Sequence, residues 1–326
     1  MNTLPLLIKR EYWEHRGGFL WAPVWVTGVI LVLTVLGMIT AEVFRANLHS
    51  RVQIGISLDS LRNSISAQDF VAAGNALDTV QLVFGAIPCI GLFFVLFFYL
   101  LGALYDDRRD RSVLFWKSLP VSDIATVASK AIAAMLLAPL IAFAVSTLAY
   151  LAFLILVGIW TAVHGLNILP AIFASHPFGM FWRLLLTIPI DALWALPTVG
   201  WLLFWSAFAR SKPFLWAVMI PLLAVFANWW VGLLGGPTFG GNLHLAAVLG
   251  RLLLSVMPGS WIKGNLDVDG PQMWFSMQDG RVLDSLAPAH LFGTLASANV
   301  WLGVVAGVAL LAAAVWFRRR RIETNA

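Results

Sequence analysis

Long apolar runs separated by polar connections make up most of this chain. Six runs are long enough to span a membrane, at residues 19–40, 80–104, 124–163, 179–209, 213–234 and 299–317. Because an α-helix rises about 1.5 Å per residue, about 20 apolar residues cross the hydrocarbon core of a bilayer. The pattern therefore predicts an all-α integral membrane protein with six transmembrane helices, in a single domain over residues 1–326.

The first 16 residues combine basic and apolar side chains, which predicts an amphipathic helix along the membrane surface. Lys9, Arg10 and Arg16 precede the first apolar run as they would in a signal peptide. The run over 19–40 is longer than the apolar core of a signal peptide, however, and no small-residue cleavage motif follows it. We therefore expect this run to be kept as the first span.

Two long polar connections, residues 42–79 and 235–296, are expected as outer loops. The second contains an apolar piece at residues 243–256 that is too short to cross a bilayer, which favours an interfacial or re-entrant helix. The run over 124–163 is longer than one crossing needs. We therefore expect its first turns, with Lys130, to project beyond the membrane.

The composition excludes a soluble globular protein. The chain is 60% hydrophobic and 11% charged, against about 25% charged residues in ordinary soluble domains. Its 16 tryptophans suit the membrane interfaces, where an indole has an apolar ring and a polar N–H. Cys89 is the only cysteine, so an intrachain disulfide is impossible. The net charge of +5 comes from basic residues beside apolar runs and does not indicate nucleic-acid binding.

The basic residues are distributed unequally between the two faces that six spans would create. Seven of the 21 Lys and Arg residues fall on the face of the long loops. The other fourteen fall on the opposite face: Lys9, Arg10, Arg16, Arg108, Arg109, Arg111, Lys117, Lys130, Arg210, Lys212 and Arg318 to Arg321. The positive-inside rule makes this second face cytoplasmic, with both termini on it.

A charged stretch, residues 105–123, interrupts the apolar pattern between the second and third spans. A charge at the centre of a bilayer costs roughly 2.5–3.5 kcal/mol or more, so the stretch must project into water. Asp106 and Asp107 suit a helix N-terminus, and Pro120 cannot continue a helix. We expect a short helix with Phe115 and Trp116 at its tip, after which Ser122 or Asp123 caps the third span.

The sequence of this stretch, DRRDRSVLFWKSLPVS at residues 107–122, resembles the permease subunit of ABC-2-type exporters. In that family an acidic-Arg pair, a small hydroxyl residue, a Leu and a Pro-Val-Ser/Thr mark the cytoplasmic coupling helix, which docks into an ATPase subunit. The matching positions are Asp107-Arg108, Ser112, Leu114 and Pro120-Val121-Ser122. The surface helix, the six spans and the long loop before the last span are also similar to the family.

The resemblance implies the transmembrane subunit of an ATP-driven exporter in the cytoplasmic (inner) membrane. Two permeases, identical or paired with a sister permease, would assemble among membrane lipids with two cytoplasmic ABC ATPase subunits, which would bind ATP and Mg. The implied coupling residues are Asp107, Arg108, Arg109, Arg111, Ser112, Leu114, Phe115, Trp116 and Lys117.

Two other interpretations of the charged stretch stay open. It could be a loop that serves only to set the membrane topology, which requires the arginines but not the aromatic tip. The chain could also be a non-transporting scaffold or sensor that binds a cytoplasmic partner through residues 105–123. An intramembrane enzyme is disfavoured, because the sequence has no Gly-x-x-x-x-Gly-Lys-Ser/Thr, His-Glu-x-x-His or Gly-x-Ser-x-Gly motif and its six histidines are scattered.

Asp191, Gly303 and Gly307 are the remaining residues that the sequence singles out. An acid in an apolar run indicates a functional site, so Asp191 is a candidate for the translocation route. If it lies near the outer interface, it is simply hydrated. Gly303 and Gly307 form a Gly-x-x-x-Gly motif, which permits close packing of the sixth span against another helix.

Overall fold

The computed structural model describes residues 3–51, 67–110, 121–235, 242–261 and 286–320. Within these ranges the regular structure is helical and no strand is found. Six of the helical stretches are long and apolar enough to cross a membrane. This confirms the predicted all-α class and the number of candidate spans.

The first two spans have longer helices than their apolar runs. Helix α1 covers Leu4–Arg16 and is followed by a π-helical turn, Gly17–Trp21, and by α2, Ala22–Arg51. Helix α3 covers Ala67–Gly102. Helices therefore occupy much of the predicted 42–79 loop, because alanines there favour the helix after hydropathy has fallen.

The third span begins where its cap was expected. After the short helix α4, Tyr105–Arg109, helix α5 covers Asp123–Ile132, with Ser122 as its N-cap residue. Ser122 Oγ accepts a hydrogen bond from the Ala125 N–H at 3.1 Å, which satisfies one of the free donors of the first turn. A π-helical turn at Ala133–Leu137 then leads into α6, Ala138–Val163.

The remaining spans lie near the predicted runs, and two short helices lie in the connections between them. Helix α7 covers Leu169–Ala174, and the fourth and fifth spans are α8, Pro177–Phe208, and α9, Pro213–Leu233. The apolar piece in the last long connection forms α10, Asn242–Leu254. Helix α11, Pro288–Leu295, precedes the sixth span, α12, Ala298–Arg320.

The described residues form two compact units. One consists of those in Met1–Phe19, Leu92–Leu140 and Leu186–Ala326. In this first unit α1 packs on α5, α5 packs on α12, and α9 packs on α10. The second unit consists of the described residues of Leu20–Gly91 and Ile141–Leu185.

The second unit has an aromatic core and two His–carboxylate contacts. Phe84 and Tyr150 are buried with their rings edge to face, 6.2 Å apart. The Asp78 carboxylate accepts the backbone N–H of His176 at 3.0 Å, just before α8 begins. The Glu42 carboxylate lies 2.5 Å from Nε2 of His164, at the end of α6. Polar contacts therefore fix helix ends in this unit while apolar rings fill its centre.

In the first unit, helices α8 and α12 approach each other through glycines. A Cβ placed on Gly200 would lie 2.6 Å from the Gly307 carbonyl oxygen, and one on Gly307 would lie 2.5 Å from the Leu196 carbonyl carbon. Real Cβ atoms do not come this close, so the helix contact requires both glycines. The Gly-x-x-x-Gly motif thus packs as predicted at Gly307.

We expect Gly307→Ala to destabilise the protein by about 1–3 kcal/mol, because its methyl group has no space against the α8 backbone. Gly28→Ala is the matched control, since a Cβ there has no neighbour within 4 Å. That change should be neutral or stabilise by up to about 1 kcal/mol, because alanine is the better helix former. Equal unfolding temperatures for the two purified variants would contradict the assigned helix contact.

Candidate functional site

A buried ion pair joins helices α1 and α5 in the first unit. Glu11 of α1 and Lys130 of α5 are 0% and 1% exposed, and Lys130 Nζ lies 3.2 Å from Glu11 Oε1. The Tyr99 hydroxyl donates a hydrogen bond to Glu11 Oε2 at 2.8 Å. Two charges are stable at such burial only if they neutralise each other, so this pair fixes α1 against α5.

The ion pair continues into a chain of charges that reaches α12. Lys130 Nζ also lies 3.6 Å from Asp107 Oδ2, and the same oxygen lies 3.4 Å from Nη1 of Arg318. Nε of Arg318 also donates a hydrogen bond to Asp123 Oδ1 at 3.0 Å. We call Glu11, Asp107, Asp123, Lys130 and Arg318 the charge cluster.

Two carboxylates of the charge cluster flank the central part of the predicted coupling segment in the sequence. Asp107 precedes residues 111–120 and Asp123 follows them, and Arg318 contacts both carboxylates. Arg318 is only 5% exposed, so these contacts exchange little with water. The two ends of the predicted coupling segment are therefore held together from the end of the sixth span.

Arg108 ties the same region to the end of α8. Its guanidinium donates to the carbonyl oxygens of Ser206 and Ala209, the latter at 3.0 Å, where the helix leaves carbonyls without internal partners. In return, Ser206 Oγ accepts the backbone N–H groups of Leu104 at 2.9 Å and Tyr105 at 3.0 Å. A cation at a helix C-terminus is also favoured by the helix dipole.

The predicted coupling residues thus divide into two sets. Asp107 and Arg108 make contacts inside the protein, whereas the Arg109 side chain is 67% exposed and pairs with Asp110 at 3.5 Å. The other predicted coupling residues lie outside the described ranges: Arg111, Ser112, Leu114, Phe115, Trp116 and Lys117.

Sequence reasoning missed the role of Glu11. An acid in a basic surface segment is expected on the polar side, yet Glu11 is buried one helical turn after Leu7, which is also buried. The four-residue spacing from Leu7 was the available signal, since residues i and i+4 share a helix face. Lys130, which we expected to project beyond the membrane, is the partner that keeps Glu11 buried.

Three neighbouring side chains of α1, one of them in the charge cluster, form a candidate site for a metal cation. Oxygen and nitrogen atoms of Glu11, Glu14 and His15 lie within 4.8 Å of one another, close enough to hold a metal ion. Glu11 is already paired with Lys130, and Glu14 Oε1 accepts from Arg10 Nε at 2.7 Å. Because these cations compensate both carboxylates, the donor set fits a metal ion poorly.

Asp191, the candidate for the translocation route, is a hydrogen-bonded junction within the first unit. Its Oδ1 accepts the Gly259 N–H and the Trp261 Nε1–H, both at 2.9 Å, and its carboxylate also accepts from the Thr187 side chain. The segment after α10 is thus anchored to the middle of α8. Two turns further along α8, Thr198 Oγ1 donates to the Arg251 carbonyl oxygen at 2.9 Å and accepts the Ser255 N–H at 3.0 Å.

Comparisons with family models, curated proteins and solved structures gave no significant match for this chain.

We expect Lys130→Met to destabilise the protein by about 3–5 kcal/mol, because it leaves Glu11 buried without its main partner. Adding Glu11→Gln to Lys130→Met should recover part of that loss, since the double variant leaves no charge unpaired at this position. Arg109→Gln, at an exposed side chain, is the control and should change stability by less than about 0.5 kcal/mol.

Thermal unfolding of five purified proteins measures these differences: wild type, Lys130→Met, Glu11→Gln, the double variant and Arg109→Gln. If the double variant is as unstable as the sum of its two single changes, then Glu11 and Lys130 do not interact and the charge cluster is wrongly assigned.

Proposed function

We propose that this chain is the permease subunit of an ATP-driven ABC-2-type exporter. The coupling motif at residues 107–122, six helices apolar enough to cross a membrane and the charge cluster support this function. In this proposal the protein lies in the cytoplasmic membrane with both termini in the cytoplasm, and α1 is its amphipathic surface helix.

The observation that carries the proposal is the way in which Asp107, Arg108 and Asp123, which flank residues 111–120, are held. We call these three residues the base of the coupling segment. Arg318 contacts Asp107 and Asp123 on either side of residues 111–120, and Arg108 is bound to the end of α8. A loop that only sets topology needs basic residues in water. It does not need buried contacts between its two ends and two spans distant in sequence.

The mechanism follows from this base. A force applied to residues 111–120 by an ATPase subunit would act on Asp107 and Asp123, and through Arg318 on α12. The Lys130–Glu11 pair would pass the same displacement to α1, and Arg108 would pass it to α8. Closure of two ATPase subunits that bind ATP and Mg would then move these helices together in each of two permease subunits and open the route outward.

The topology is tested with single cysteines in a Cys89→Ser background. Cysteines at Ser57 and Ser276 should react with a membrane-impermeant thiol reagent on intact spheroplasts, whereas one at Ser112 should react only after lysis. The basic-residue asymmetry is the reason for this expectation. Labelling at Ser112 but not at Ser57 would reverse the orientation.

The ATPase contact is tested by removing the two aromatic rings of the segment. Phe115→Ala with Trp116→Ala should leave the permease inserted but abolish co-purification of the ATPase, because large rings at an interface centre commonly contribute 2 kcal/mol or more each. The charge change Arg109→Gln should have a smaller effect on co-purification.

A matched control removes two exposed rings elsewhere. Phe178 and Trp182 are 82% and 59% exposed on α8, and their double alanine variant should retain the ATPase. Full recovery of an active ATPase complex with the Phe115 and Trp116 variant would refute the coupling function. Loss of insertion only on charge removal would favour a topology-setting loop.

A further inference from the structure

Arg251 of α10 stands in a different environment from the other described arginines. Its Cζ lies 4.0 Å above the centre of the Trp194 ring of α8, a cation–π contact that fixes the plane of the guanidinium. Hydrogen bonds to its carbonyl oxygen from Thr198 and Ser255 fix its backbone. The side chain is therefore held in place by the first unit, although the residue as a whole is partly exposed.

The guanidinium has no anionic partner among the residues that the structure describes. Nε and Nη2 are buried and make no hydrogen bond there, and no described carboxylate lies within ion-pair distance. Asp191, one turn before Trp194, already accepts from Gly259 and Trp261. Burial lowers the pKa of Arg251, although a guanidinium stays charged in proteins.

Helix α12 leaves space for this cation at a single residue. A Cβ placed on Gly303 would overlap Nη2 of Arg251 and would lie 3.2 Å from Cγ of Pro197. The first glycine of the Gly-x-x-x-Gly motif thus accommodates the guanidinium, whereas Gly307 packs against α8. The backbone of Gly303 therefore lies against the Nη2 edge, and the Trp194 indole lies against the face of the guanidinium.

We propose that Arg251 binds the anionic group, a carboxylate or a phosphate, of an amphiphilic molecule that enters from the membrane. Nε–H and one Nη2–H point in the same direction and form the edge that binds a carboxylate or phosphate through two parallel hydrogen bonds. Gly303 covers this edge here, so binding includes a small separation of α12 from α10. The inference concerns ligand recognition and does not depend on the ATPase partner.

Two buried guanidinium nitrogens without an acceptor among the described residues argue for a ligand rather than a purely structural role. Buried donors that lack an acceptor destabilise a fold, and replacing such a charged residue by an apolar one of similar size is often neutral or stabilising. A purely structural arginine would pair with a carboxylate, as Arg318 does with Asp107 and Asp123. Arg251 has instead an aromatic ring that holds it and a covered edge that has no acceptor among the described residues.

The test is thermal unfolding of the purified full chain in a neutral detergent, with pairs of probes of which only one carries a phosphate. Decyl phosphate is compared with decanol, and phosphatidylglycerol is compared with diacylglycerol. At about 100 times the dissociation constant, a bound phosphate probe should raise the unfolding temperature by roughly 5 °C. A response to phosphatidylglycerol alone would identify a bilayer lipid, and a response to both phosphates would identify a site open to single-chain amphiphiles.

Three variants test whether the phosphate-dependent rise in unfolding temperature requires Arg251. Arg251→Met should abolish the phosphate-dependent rise and leave the protein without probe as stable as wild type or more stable. Arg210→Gln, an equal charge change at an exposed residue, should keep the full rise. Gly303→Ala displaces the guanidinium without removing its charge and should weaken the rise.

The inference is overturned if neither phosphate probe stabilises wild type more than its uncharged counterpart, or if Arg251→Met responds as wild type does. It is also overturned if Arg251→Met unfolds or loses stability while Gly303→Ala keeps the full phosphate response, because Arg251 would then have a structural role. Neither result would bear on ATPase co-purification, so the two proposals fail separately.

Discussion

The ion pair between Glu11 and Lys130 is the contact on which the charged side of this protein depends. Both side chains are removed from water, and either charge alone would be strongly unfavourable there. Helices α1 and α5 must therefore stay together for either charge to be buried. Tyr99 satisfies the second Glu11 oxygen, which adds α3 to the same contact. Three helices that are distant in sequence are fixed by one requirement for charge neutrality.

The same requirement for charge neutrality fixes the residues on either side of positions 111–120. Asp107 lies between Lys130 and Arg318, and Arg318 also contacts Asp123, so alternating charges connect α5, the end of the second span and α12. Arg108 makes the corresponding contact with the carbonyl end of α8. A displacement of the segment cannot be absorbed by its base without breaking buried ion pairs. In the proposed function, these contacts are the route by which a force on the segment would reach several helices.

The number of spans could be predicted because a bilayer imposes a length that apolar runs must match, and the Ser122 cap could be predicted because it is local. Helix ends could not, since α2 continues to Arg51 on helix propensity after its apolar run has ended. The charge cluster could not be predicted either. Glu11 and Lys130, and likewise Asp107 and Arg318, are far apart in sequence, and nothing in their local spacing indicates a partner. Hydropathy alone places every one of them in water.

Arg318 and Arg251 show why burial of a charge must be interpreted through its partners. Arg318 is buried in the first unit, where it contacts two carboxylates and thereby holds helices together, whereas Arg251 is partly exposed. Arg251 is held by the Trp194 ring, and its buried Nε–Nη2 edge has no acceptor among the described residues. An aromatic ring positions a cation without neutralising it. The first arrangement uses the charge for stability, and in our proposal the second leaves the charge for an external anion.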